Sequence, residues 1–175
     1  ARWPTKRWPP EHFAEVARRA RRERGAGLVA TGAPEDAPAV AALVARIDPH
    51  PILNLCGQTT LPQLAALASE SDVVLSNDTG PLHLAAAVGA RVVGVYTCTS
   101  PKLNGPYGPR ALAVATGVWC QASYVKTCDR LDCMSELTPD RVWTAILAQL
   151  DARRAEEPAR SAGSFPHCPT APSIR

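Results

Sequence analysis

The chain has 175 residues, 46% hydrophobic and 20% charged, with a formal net charge of +3. That length suits one domain able to bury a core, and the composition excludes a disordered chain. The small charge gives no footprint for nucleic acid, no apolar run reaches the ~20 residues of a membrane span, and no signal peptide is expected. Strands and helices alternate along the chain. Pro9 or Pro10 opens a helix through about Arg24, with Phe13, Val16, Ala17 and Ala20 on its apolar face, and Gly25 to Gly27 stop it. Leu28–Ala30 reads as a short strand, Ala37–Ile47 as a helix, Ile52–Leu55 as a strand and Leu61–Ala68 as a helix. Val73–Leu75 and Val92–Tyr96 read as strands flanking a helix over Pro81–Val88. Thr97 to Arg110 is a loop rich in Pro and Gly, Ala111–Ala115 a last strand, and Thr138-Pro139 caps a helix through about Leu150. Such alternation predicts an α/β fold: a Rossmann-like parallel sheet with helices on both faces, spanning 1–152. Residues 153–175, aperiodic and Pro-, Ser- and Ala-rich from Ala155, are expected to be a disordered tail or a weakly held strap.

In an open parallel sheet, ligands collect at the carboxyl ends of the strands. Four loops there carry polar residues: Thr31–Glu35, Cys56–Thr60, Asn77–Gly80 and Thr97–Gly108. The third is the most informative. The apolar strand Val73–Leu75 breaks into Ser76-Asn77-Asp78-Thr79-Gly80, and Pro81 then opens an alanine-rich helix. Pro suits the first helical position, where its missing N–H costs nothing. The free N–H groups of that first turn and the positive end of the helix dipole favour phosphate.

The string Ser76-Asn77-Asp78-Thr79-Gly80-Pro81-Leu82-His83-Leu84-Ala85-Ala86-Ala87 resembles the donor-site motif of glycosyltransferase family 9, the lipopolysaccharide heptosyltransferases. Other segments agree in order: Lys6-Arg7-Trp8-Pro9, Gly57-Gln58-Thr59-Thr60-Leu61 with Leu64–Leu67, Gly105-Pro106-Tyr107-Gly108, and Cys133-Met134-Ser135-Glu136-Leu137-Thr138-Pro139. The resemblance covers about residues 3–150 and matches only the second half of such an enzyme, the C-terminal domain of a GT-B-type fold. It implies that the donor is ADP-heptose and that the acceptor is a lipopolysaccharide core glycan. It also implies that an N-terminal acceptor domain, the partner of this half, carries an aspartate general base. No residue of this chain is then the base, and the chain alone is not expected to transfer a sugar. The first residue is Ala1, as expected of a fragment or a processed chain.

The same resemblance places Asp78, Thr79, Gly80 and His83 along the diphosphate and sugar. It places Lys6 on the donor diphosphate as leaving-group stabiliser, Glu35 near the nucleoside, and Thr59 on the nucleotide. A carboxylate beside a pyrophosphate is repelled, so Asp78 is expected to accept hydrogen bonds from backbone N–H groups or donor hydroxyls. The dipole of the helix disfavours a charge on His83 and a phosphate favours one, yet either state can donate a hydrogen bond. Lys6 is a compact cation on a mobile stem, suited to a phosphate. Each residue also suits an ordinary role: Asp78 or Glu35 a helix cap, His83 a surface histidine, Lys6 a solvated lysine.

No cofactor or metal is expected, because fixed cations and dipoles can serve the leaving group. Cys120, Cys128 and Cys133 lack a paired C-x-x-C, and Cys168 has no evident partner. The six cysteines do not read as a disulfide framework. The arginines at 18, 19, 21, 22 and 24 read as a solvated helix face, with contact to anionic lipid or a phosphorylated acceptor as the alternative. Trp8, Trp119 and Trp143 read as packing residues. The expected location is cytoplasmic, with peripheral contact to the inner membrane as a further option. Two rivals differ in class: a non-catalytic nucleotide-binding module or decayed fragment, and a GT-B-type enzyme using another nucleotide sugar.

Overall fold

The computed structural model describes residues 1–47 and 52–161, the side chains of 157–161 excepted. Cys168 and the expected tail beyond 161 lie outside the described residues. In chain order the helices are α1 (Pro10–Arg24), α2 (Ala37–Ala45), α3 (Leu61–Glu70), α4 (Gly80–Ala87), α5 (Pro101–Asn104), α6 (Asp132–Glu136) and α7 (Pro139–Ser161). The strands are β1 (Val29–Ala30), β2 (Leu53–Asn54), β3 (Val74–Asn77), β4 (Val92–Tyr96) and β5 (Ala111–Ala115). Single 3-10 turns lie at Pro4–Lys6 and Pro34–Asp36.

Every strand pairing is parallel, with β3-β4-β5 in one sheet and β1-β2 in another. The single sheet expected is thus hydrogen-bonded as two among the described residues. The ladders run past the strands into the loops: Gly57 N donates to Gly32 O, and Asp78 N donates to Val95 O. These bonds hold the loop after β2 against the loop after β1, and the motif loop after β3 against β4.

Strand β4 is buried throughout, and its alternation divides two cores. Val93 and Val95 pack with Trp8, Val16, Leu137, Val142, Trp143 and Ile146, which brings α1 and α7 onto one face. Val92 and Tyr96 pack with Ala68, Leu82 and Ala85, which brings α3 and α4 onto the other. Gly94 makes that second packing possible. A Cβ there would lie 2.6 Å from a Leu82 methyl and 2.8 Å from the Tyr96 ring. The end of α1 follows its chemistry: Gly25 takes a left-handed φ of 64°, and its N–H bonds back to the last turn.

Three expectations need correction. The last helix does not stop near Leu150 but runs to Ser161, so the expected tail begins at least partly as helix. Its polar extension is held by long-range ion pairs: Glu156 with Arg91 (2.5 Å) and Arg110 (2.8 Å), and Arg153 with Asp72 (2.7 Å). The strand before the motif runs on through Ser76 and Asn77, because both still pair with β4. The third concerns tryptophan. Trp8 and Trp143 are buried, but Trp119, on the loop after β5, is 84% exposed.

Among the described residues no helix is long and apolar enough to cross a membrane. The arginine run is largely neutralised in place. Arg18 and Arg19 pair with Glu15, Arg19 also with Asp140, and Arg22 with Glu23.

Candidate functional site

Two sequence motifs meet at the carboxyl ends of β3 and β4. The N-terminal segment is bolted down at Thr5 and at Trp8. Thr5 is buried, donates its hydroxyl to Val125 O (2.7 Å), and accepts on its own carbonyl from the Thr97 hydroxyl. Trp8 is 2% exposed, its indole N–H donates to Leu137 O (2.7 Å), and its backbone N–H donates to the Asn77 side chain (3.0 Å). Between these anchors Lys6 extends over the motif loop, where its ammonium lies 2.6 Å from Asp78 Oδ2.

Asp78 is 5% exposed. Besides Lys6, Oδ2 accepts from the Thr99 hydroxyl (2.8 Å), and Oδ1 lies 3.4 Å from His83 Nε2. The carboxylate thus takes side-chain partners among the described residues; of the two kinds expected of it, backbone N–H groups or donor hydroxyls, the backbone groups are not among these contacts. Nor does it cap α4: the residue at the cap is Thr79, which makes no side-chain cap bond. The Thr79 hydroxyl turns back to Ser76 Oγ (3.1 Å) and Asn77 O (3.3 Å). Gly80 begins α4 at the surface, and a Cβ there would meet nothing within 4 Å. The half-exposed His83 imidazole stands in the first turn, beside Asp78.

Glu35 and Thr59 sit on the neighbouring loops after β1 and β2. Glu35 is exposed in the Pro34–Asp36 turn. Thr59 precedes Thr60, which caps α3 by accepting from Gln63 N while Gln63 Oε1 accepts from Thr60 N. The contacts that join Lys6, Asp78 and His83 do not extend to either residue.

Supporting residues escaped sequence reasoning. Thr97 and Thr99 follow the apolar strand β4 in a bend, and no pattern along the chain marks either hydroxyl for its distant partner. Tyr96 donates its hydroxyl to Asn104 O (2.8 Å), and burial, with Asp78 nearby, pushes its phenol well above the usual range. Cys56, Cys98, Cys120, Cys128 and Cys133 are free thiols, and burial, with Cys120 nearby, pushes the Cys133 thiol up. Among the described residues no group of three His, Cys, Asp or Glu side chains is set to hold a metal ion.

The chain is similar to known proteins over this same core. At 32% identity over 114 residues it matches lipopolysaccharide heptosyltransferase 2 of Salmonella typhimurium, covering 63% of this chain and 32% of that protein. It is 46% identical over 54 residues to the lipopolysaccharide core heptosyltransferase OpsX of Haemophilus influenzae, 31% of this chain and 16% of that one. The chain thus spans about a third or less of these curated relatives. Among solved structures, a family 9 glycosyl transferase from Veillonella parvula superposes with a TM-score of 0.76 at 26% identity, covering 87% of this chain and 44% of that one. The E. coli ADP-heptose lps heptosyltransferase II superposes with a TM-score of 0.70 at 26% identity and the same coverage. The model of glycosyltransferase family 9 (heptosyltransferase) matches residues 1–134, and the chain belongs to that family.

Proposed function

We propose that the chain is the donor-binding half of a heptosyltransferase-type enzyme, holding ADP-heptose for transfer to a lipopolysaccharide core acceptor. The observation that carries this is the contact of Lys6 with Asp78, which joins two family motifs beside the start of α4. A buried carboxylate holds an ammonium ready there, and half-exposed His83 adds a second donor. Gly80 supports the same site: its space is open and its φ is not left-handed, so the chain's own packing does not demand glycine. A ligand lying against the backbone there would demand it. The E. coli relative is named for ADP-heptose, consistent with a nucleotide diphosphate donor.

In this role Lys6 and the N-terminus of α4 carry the charge that develops on the departing ADP. His83 donates to a diphosphate oxygen, while Glu35 and Thr59 flank the nucleoside. A general base within about 2.6–3.2 Å of the acceptor hydroxyl is supplied by the acceptor half. Positioning the acceptor in line contributes ~7–11 kcal/mol of the barrier reduction, so this half alone does not turn over. The test supplies ADP-heptose and a deep-truncated lipopolysaccharide to the chain, with and without a separately expressed acceptor half. Turnover only with both halves supports the assignment. Turnover by the chain alone overturns the division of labour, and none in either case favours a binding module.

A further inference from the structure

Lys6 and Asp78 form a pair whose formal charges cancel, so the pair brings no net positive charge to a diphosphate. A second cation stands close by. The ammonium of Lys126 lies 5.3 Å from the centroid of the Trp3 ring, and that of Lys6 lies 5.2 Å from the same centroid. Lys126 has no carboxylate within ion-pair distance among the described residues, whereas Lys6 does. An ammonium over an indole keeps its full charge while its stem gives up freedom before any ligand arrives.

The backbone beneath Lys126 is fixed to the site by buried groups. Thr5, one residue before Lys6, donates to Val125 O (2.7 Å) and Lys126 O (3.3 Å). Tyr124 N donates to Cys98 O (2.8 Å), between the two threonines whose hydroxyls steady the Lys6 turn and Asp78. One loop segment, 124–126, is thereby stapled to both sides of the ion pair.

We propose that Lys126 is a second diphosphate-binding residue, supplying the unmatched positive charge that the Lys6–Asp78 pair lacks. Trp3 is the shared platform that spaces the two ammoniums. This rests on the donor-site assignment above and extends it to a loop between the motif segments, within the residues the family model matches. Lys126 would meet one phosphate of the nucleoside diphosphate while Lys6 meets the other.

Calorimetry of the 175-residue chain with ADP and with adenosine tests this, comparing wild type, Lys126→Ala, Lys126→Arg and Lys6→Ala. Lys126→Ala is expected to weaken ADP binding roughly tenfold at low salt, as for loss of a charged hydrogen bond. The loss should shrink as salt rises and leave adenosine binding unchanged, and Lys126→Arg should retain most of the affinity. Lys126 is exposed, so matched urea midpoints will show that the variants are folded. If Lys6→Ala loses ADP while Lys126→Ala binds it like wild type, the role of Lys126 is overturned and the donor site stands. If folded wild type does not bind ADP, both fail.

Discussion

Lys6 Nζ lies 2.6 Å from Asp78 Oδ2, an ion pair closed between the first turn of the chain and the loop that follows β3. Its carboxylate is buried and also held by Thr99, so the pair serves the fold as well as a ligand. Asp78→Ala should therefore cost about 2–3 kcal/mol of stability, since it strands a half-buried ammonium and a buried hydroxyl. Urea denaturation measures that. In ADP binding, Lys6→Ala leaves a carboxylate facing the diphosphate, so the double variant should bind better than Lys6→Ala alone. Losses that simply add would show that the two do not act as a unit.

His83 is half exposed, and its closest charged partner is Asp78 at 3.4 Å. His83→Ala should leave stability within ~0.5 kcal/mol of wild type. ADP affinity should fall by about 1–2 kcal/mol, the worth of one polar contact. Normal ADP binding with lost stability would make His83 structural.

Gly94 on β4 faces Leu82 and Tyr96 at distances no Cβ tolerates. Gly94→Ala should destabilise the fold by about 1–3 kcal/mol, the usual cost of overpacking. Because Tyr96 hydrogen-bonds Asn104, the added methyl should also disturb the end of α5. A thermal midpoint equal to wild type would contradict the packing of α4 on β4.

Glu136 joins the loop after β5 to the start of α7, accepting from Thr116 (2.7 Å) and Gly117 N (3.0 Å) and pairing with Arg141. Burial alone would raise its pKa, but the bonds from Thr116, Gly117 and Arg141 together hold it below the ordinary carboxylate value. A group depressed on folding stabilises above its unfolded pKa and loses that contribution as pH falls through the folded one. Glu136→Gln should thus be less stable than wild type at neutral pH, with the difference closing on acidification below the usual carboxylate range. A difference independent of pH would mean the carboxylate charge is not what matters.

Much of the scaffold could be read from local pattern. The α1 helix begins at Pro10 and ends at Gly25, and β4 and β5 occupy the expected residues, because proline, glycine and apolar runs act on their own neighbourhoods. Leu150 misled as a helix end because Arg91, Arg110 and Asp72, remote in sequence, hold the polar turns beyond it. The site divides the same way. The motif string gave Asp78 and His83, and the K-x-W-P segment gave Lys6, but neither could say that Lys6 closes on Asp78. Thr5, Thr97 and Thr99 serve through bonds between distant segments, which no spacing along the chain encodes. Trp119 reads as a packing residue because tryptophan is highly buried on average, yet its own side chain is 84% exposed.

Donor binding is tested most directly by calorimetric titration of ADP into this chain, with Lys6→Ala as the comparison. The site described here predicts saturable binding at or below millimolar ADP. Lys6→Ala should weaken it, and that loss should shrink as salt rises, because the contact is a partly screened charge. A chain with a folded circular dichroism spectrum that releases no heat with millimolar ADP would contradict the donor-binding assignment.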